Sequence, residues 1–211
     1  MWVPELACSG VGLLCQPGYR IYPWDGFPHG IPWAADTGIF GAAKFSLERY
    51  MRMLRQWADR QEDNLFATAP DVVFDWPATL KRSLPVLDAI RQLGYRAALV
   101  VQDGATPGQV PWNEIDVVFT GGSTRWKLSE DAYKIIAEAK SRGVWSHMGR
   151  VNSLRRLRAA KIAGYDSADG TYVKYGPTHN AQKVLGWMAD LELQPSMYFP
   201  SVIELPNDDE R

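Results

Sequence analysis

The sequence is poor in cysteine, in histidine and in long apolar runs, and each shortage removes a class of protein. Only Cys8 and Cys15 occur in 211 residues, too few for a disulfide-rich secreted framework or a cysteine-built zinc site, so a reducing compartment is expected. The histidines His29, His147 and His179 have no second histidine or acid at metal-ligand spacing, so no metal is expected. No run of about 18 apolar residues is present, and the N-terminus lacks a basic segment followed by an apolar one, so neither a membrane span nor a signal peptide is expected. A cytoplasmic protein with no membrane partner is the resulting expectation. Charge of one sign is also lacking: the net charge is -1, so any nucleic-acid binding must come from local basic patches. Gly10-x-Gly12 lacks the rest of a dinucleotide fingerprint.

What is present is alternation. Hydrophobic residues make up 46% of the chain, enough for one full core. From Ser46 the apolar positions Leu47, Tyr50, Met51, Leu54, Trp57 and Ala58 recur at helical spacing behind an N-cap serine. Phe66 to Phe74 reads as a strand stopped by Pro77. The next helix is expected to start near Ser83, because Pro85 is tolerated best in a first turn, and to end at Gly94. Ala97 to Gln102 and Asp116 to Thr120 read as strands buried on both faces, joined by a Gly/Pro-rich connection. A helix capped by Ser129 and closed by Gly143, a strand Val144 to Met148, a helix from about Ser153 to Ala163, a strand at Tyr165 to Asp169 and a last helix through Val184, Leu185, Met188 and Leu191 complete the series. With strands near Leu6 to Cys15 and Trp33 to Asp36 there are about seven β/α steps. The expected fold is therefore α/β, a compact, trimmed (β/α)8-type TIM barrel in a single domain over residues 1–205 with a frayed tail at 206–211; an open doubly wound sheet also fits the alternation. Nine tryptophans and a proline-rich first 35 residues suggest an aromatic lid or barrel floor.

Active sites of parallel β/α folds lie at the carboxyl ends of the strands. The polar residues expected there are, in order, Asp36-Thr37-Gly38, Asp75, Gln102-Asp103-Gly104, Gly121-Gly122, His147-Met148-Gly149 and Asp166-Ser167-Ala168-Asp169-Gly170-Thr171. Each alone is an ordinary cap or turn residue. Together, three carboxylates beside an amide and exposed glycine backbone suit a site that protonates a leaving base and reads its hydrogen-bonding edge.

This series resembles the tRNA-guanine transglycosylase superfamily from roughly Trp33 to Thr171. The elements are an Asp-Thr-Gly turn at Asp36, Phe-Asp at Asp75, Val-Gln at Gln102, Gly-Gly at Gly121, Met-Gly at Met148, and an acid two residues before Thr171. The chain has no cysteine beyond position 15, unlike the tRNA enzymes with their C-terminal zinc site, and looks closest to the DpdA-like phage and bacterial enzymes that place 7-deazaguanines in DNA. The resemblance implies that Asp169 is the nucleophile at the sugar anomeric carbon and Asp36 the general acid/base. It implies that Asp75 and Gln102 read the purine edge, that the Gly121-Gly122 backbone approaches the exocyclic group, and that Met148 and Gly149 wall the ring. Asp166 either orders the loop beside the base or replaces Asp169 as nucleophile. Position 103 is Asp where the tRNA enzymes usually have Gly. The implied activity is exchange of guanine for a 7-deazapurine, with no cofactor, and two carboxyl groups are the pair that retaining glycosyl transfer needs.

Arg125, Lys127, Arg150, Arg155, Arg156, Arg158 and Lys174, with Trp126 and Tyr172 nearby, form a basic and aromatic set on the loops of the same face. It suits phosphate contacts and stacking on an extruded base in DNA, with RNA as an alternative, although Arg155, Arg156 and Arg158 also fit a solvated helix face. Two other functions use the same residues: a purine or nucleic-acid binding barrel without chemistry, and a glycosyl hydrolase or transferase acting on free nucleosides.

Overall fold

A computed structural model describes residues 10–18, 30–39 and 45–193. Expectations for Cys8, His29, the start of the Leu6 to Cys15 strand and the tail at 206–211 fall outside the described residues. Seven strands form one all-parallel sheet in sequence order: β1 (Leu13–Cys15), β2 (Trp33–Ala35), β3 (Asn64–Thr68), β4 (Ala97–Val101), β5 (Val117–Thr120), β6 (Trp145–Met148) and β7 (Ser167–Ala168). A doubly wound sheet reverses its strand order at a switch point. The sequential order here has no reversal, which removes that alternative.

The sheet is curled like a half-barrel. Adjacent strands lie about 4.8 Å apart, so in a flat sheet β3 and β6 would be separated by roughly three such spacings. The rings of Phe66 on β3 and His147 on β6 instead meet at 4.9 Å between centroids. Among the described residues no ladder joins β7 to β1, so closure into an eight-stranded barrel is not part of the observed sheet.

Side-chain alternation along the strands explains the two faces. Ala34, Phe66, Ala98, Val100, Val117 and Phe119 pack together on the concave side. Trp33, Ala35, Ala67, Ala97, Leu99, Val101 and Val118 pack outward against the helices α1 (Leu47–Gln56), α2 (Trp76–Gln92) and α4 (Glu130–Ser141). Burial of each side chain the size of Leu99, Ile135 or Ile136 stabilises the fold by about 1.5–3 kcal/mol.

The expected N-caps at Ser46 and Ser129 each accept a backbone N–H three residues on, as does Ser153 at the start of the fifth helix, and Gly164 ends α5 (Leu154–Ala163) in the left-handed conformation. The second helix differs. It begins at Trp76, capped by Asp75, and carries Pro85 in its interior, seven residues earlier than the expected start at Ser83. Its first half is held by tertiary bonds that outweigh the proline: Thr79 both donates to the Val72 carbonyl and accepts from the Val72 N–H, and the Ser83 hydroxyl donates to the Pro70 carbonyl. A four-residue helix, α3 (Thr124–Lys127), and the last helix, α6 (Pro177–Leu193), complete the set. No described helix is long and apolar enough to cross a membrane.

Candidate active site

Alternation places the residue just past each strand on the concave side whenever it lies two positions after a concave residue. Asp36 follows Ala34, Gln102 follows Val100, Gly121 follows Phe119, Gly149 follows His147 and Asp169 follows Ser167. Five strand ends thus aim at one mouth. The curl brings the outer two together: Asp36 beyond β2 and Asp169 beyond β7 act on each other electrostatically although five strand positions separate them.

Asp36 is held between neighbours. Its Oδ2 accepts from Gln16 Nε2 at 2.5 Å, and its Oδ1 faces the Thr68 hydroxyl at 3.4 Å. Burial pushes its pKa up to about 6, against the Gln16 hydrogen bond that favours the anion, and the nearby Asp71 and Asp169 charges push it further up. A carboxyl group poised there can carry a proton near neutral pH and release it again.

Asp71 takes the position expected for Asp75. Pro70 ends the extended segment only two residues beyond β3, and the following loop is pinned to α2 by Thr79 and Ser83, so Asp71 turns into the mouth and is 5% exposed. Its Oδ2 accepts from Gln102 Nε2 at 2.5 Å, and burial raises its pKa above the usual carboxylate value. Asp75, by contrast, is exposed and caps α2 by accepting from the Ala78 N–H. The Val72-Val73-Phe74 run caused the misreading, because its β-favouring residues suggested a strand running through Pro70. A proline inside a central strand is itself the signal against that reading.

Gln102 is fully buried and bonded at both ends, since its Oε1 also accepts from the Phe74 N–H at 3.0 Å. Phe74 adopts a φ of 63°, strained for an aromatic residue, to make that bond. Gly121 is required beside it, because a Cβ there would lie 2.7 Å from Val100 Cγ1 and 2.8 Å from Gln102 Nε2. Asp103 shapes the turn: both its oxygens are taken by Ser123, from the N–H at 2.7 Å and the hydroxyl at 2.6 Å. A Cβ on Gly122 would strike Asp103 Oδ2 at 2.5 Å.

On the other side of the mouth, Asp169 Oδ1 faces His147 Nε2 at 3.2 Å and accepts from the Arg150 N–H at 3.2 Å. Among the described residues its Oδ2 receives no hydrogen bond. Arg150 sits at a φ of 58° and its guanidinium donates to the Gly122 carbonyl, tying the β6 loop to the β5 turn.

Besides Asp75, three expected site residues lie elsewhere. Asp166 is at the opposite end of the sheet, exposed, where its Oδ2 accepts from the Ser146 N–H at 2.7 Å and hydroxyl at 2.9 Å. Met148 is buried on the helix-facing side with Val151 and Ala160, because it is one residue out of phase with His147. Lys127 is 1% exposed and donates to the Gly149 carbonyl at 2.5 Å, with burial lowering its pKa to about 8. It braces the site from beneath and offers no ammonium to solvent. Arg125 and Lys174 are exposed, and Arg155, Arg156 and Arg158 are half-buried along α5. Among the described residues no group of three or more His, Cys, Asp or Glu side chains is arranged to hold a metal ion.

No family model matches the chain, and no curated protein matches it. Among solved structures, the PaMucR phosphodiesterase in complex with c-di-GMP is similar at a TM-score of 0.43 and 14% identity, over 71% of this chain and 63% of that one. This chain thus spans less than two thirds of that structure's length, and a likeness this loose assigns no activity.

Proposed function

We propose that the protein is a nucleic-acid guanine transglycosylase, exchanging guanine for a 7-deazaguanine-like base, preferably in DNA, on a β/α barrel trimmed below eight strands. One observation carries the reading: Asp36, poised near pH 6, and Asp169, with one oxygen that receives no hydrogen bond among the described residues, face the same mouth from the two ends of the curled sheet. In this reading Asp169 Oδ2 attacks the anomeric carbon and the glycosidic bond breaks with its electron pair going to the base. Protonated Asp36 supplies the proton the departing guanine needs, and its carboxylate then takes the proton of the incoming base, which displaces Asp169. Asp71 presents a carboxyl to the purine edge, and the buried Gln102 amide holds it in place. Exposed Arg125 and Lys174, with the half-buried Arg155 and Arg156, supply phosphate contacts.

The test is incorporation. Protein incubated with guanine-containing DNA or RNA and labelled guanine or 7-cyano-7-deazaguanine should transfer label to the polymer and leave a denaturation-resistant adduct when quenched. Base released from free nucleosides without polymer would move the reading to a nucleoside hydrolase. Purine binding without adduct or exchange would leave a binding barrel.

A further inference from the structure

Leading to Asp169, the concave face holds a line of polar groups that the chemistry above does not use. Trp145 Nε1 donates to Ser167 Oγ at 3.1 Å, Ser167 Oγ lies 2.8 Å from His147 Nδ1, and His147 Nε2 lies 3.2 Å from Asp169 Oδ1. The line starts at the first residue of β6, crosses to β7, returns to β6 and ends on the carboxylate at the mouth. His147 is 4% exposed, and its ring is packed between Phe66 at 4.9 Å and Phe119 at 4.6 Å. It is a buried titratable group with fixed partners on both nitrogens.

We propose that His147 is a positioning residue for Asp169, locked by Trp145 and Ser167 as the tautomer with its proton on Nε2. The proposal rests on the reading of Asp169 as the nucleophile. Two ends of the line argue for one direction. An indole nitrogen can only donate, so Ser167 Oγ accepts from Trp145 and its own hydrogen remains available to Nδ1. At the far end, a bare Nε2 would set a lone pair against a carboxylate oxygen, whereas an Nε2–H donates to it. With Oδ1 held by that N–H and by the Arg150 N–H, the Asp169 carboxylate cannot rotate freely, and Oδ2 is the oxygen presented to the mouth.

The tautomer is read directly by long-range 1H–15N correlation spectra of the whole protein, with the His147 ring assigned by its disappearance in His147→Gln. The expected result is a bare Nδ1 and a protonated Nε2, with Ser167→Ala shifting the ring toward a tautomer mixture. A ring protonated on Nδ1 overturns the proposal. Kinetics supply the second arm. His147→Gln keeps an N–H where Nε2 stood and should form the covalent adduct within about tenfold of the wild-type single-turnover rate. His147→Phe should slow it at least 100-fold with KM for the polymer changed less than threefold. A His147→Phe rate within threefold of wild type overturns the proposal. Absence of any adduct with the wild-type protein would sink the transglycosylase reading instead, and the spectra would still decide the direction of the hydrogen-bond line.

Discussion

The two ends of the sheet hold the same residue types in opposite electrostatic states. At the floor, where the strands begin, Asp116 is gripped by Arg91 through Nε at 2.9 Å and Nη2 at 3.2 Å and also accepts from the Ala97 N–H at 2.8 Å. Burial works to raise its pKa, but the Arg91 bond, the Ala97 N–H and the neighbouring guanidinium charges outweigh it, so the net shift is downward. At the mouth, Asp36 and Asp71 are shifted upward by burial, and each has an amide where Asp116 has a guanidinium. A carboxylate matched by a cation is an anchor; one matched by an amide can still exchange a proton. On the proposed function, the floor would serve stability and the mouth chemistry.

The largest expected break of that contrast is Asp169→Asn. The amide keeps the size and can still accept from His147, so folding and polymer binding should persist while base exchange falls by about 10³-fold or more, as when a covalent nucleophile is lost. Labelled-base incorporation beside a binding assay checks it, and exchange within tenfold of wild type would remove Asp169 from the role. Asp36→Asn follows, with a loss of about 10²–10⁴-fold in exchange and removal of the pH limb near 6.

Asp36 also separates the two ends through stability. Its folded pKa is raised, so the folded state binds the proton more tightly and this stability is complete below the unfolded value near 4, then is lost as pH rises to about 6. Asp116 has a lowered folded pKa, so its stability is present above the unfolded value and is lost as pH falls through the folded one. Chemical denaturation across pH 3 to 7 should therefore show Asp36→Asn flattening the decline between about 4 and 6, and Asp116→Asn flattening the acid limb below 4. At neutral pH Asp116→Asn should cost about 1–2 kcal/mol with exchange unchanged, since the pair is partly exposed and the Ala97 N–H keeps an acceptor. Swapped pH windows would dissolve the distinction between floor and mouth.

Periodicity made much of this legible. The serine caps, the glycine stops and the alternation of strands with helices followed from local chemistry, and Asp36, Gln102, Gly121 and Asp169 fell at the mouth because each lies just past a strand. The errors share one cause, a phase or boundary decided by residue type without the alternation. Extending β3 through Pro70 chose Asp75 over Asp71. Assigning Met148 to the wall ignored that Phe119 and His147 share a face, so the adjacent residue must point away. Lys127 read as a phosphate contact because its charge was visible, while the one-turn helix that tucks it under Gly149 was not.

The smallest expected effect tests the sharpest of these distinctions, because Asp166 and Asp169 lie three residues apart and sequence alone offers either as the nucleophile. In the structure β7 runs between them, with Asp166 accepting from Ser146 at the start of β6 and Asp169 facing His147 near its end. Asp166→Asn keeps an oxygen for the Ser146 N–H and leaves the mouth untouched. It should change stability by less than about 0.5 kcal/mol, as expected for an exposed position, and leave exchange within about twofold of wild type. Thermal denaturation and the incorporation assay on the same preparation measure both. If Asp166→Asn abolished exchange while Asp169→Asn did not, β7 would have to be shifted so that the floor acid reached the mouth. A one-residue slip would not suffice, because Asp166 and Asp169 lie three positions apart.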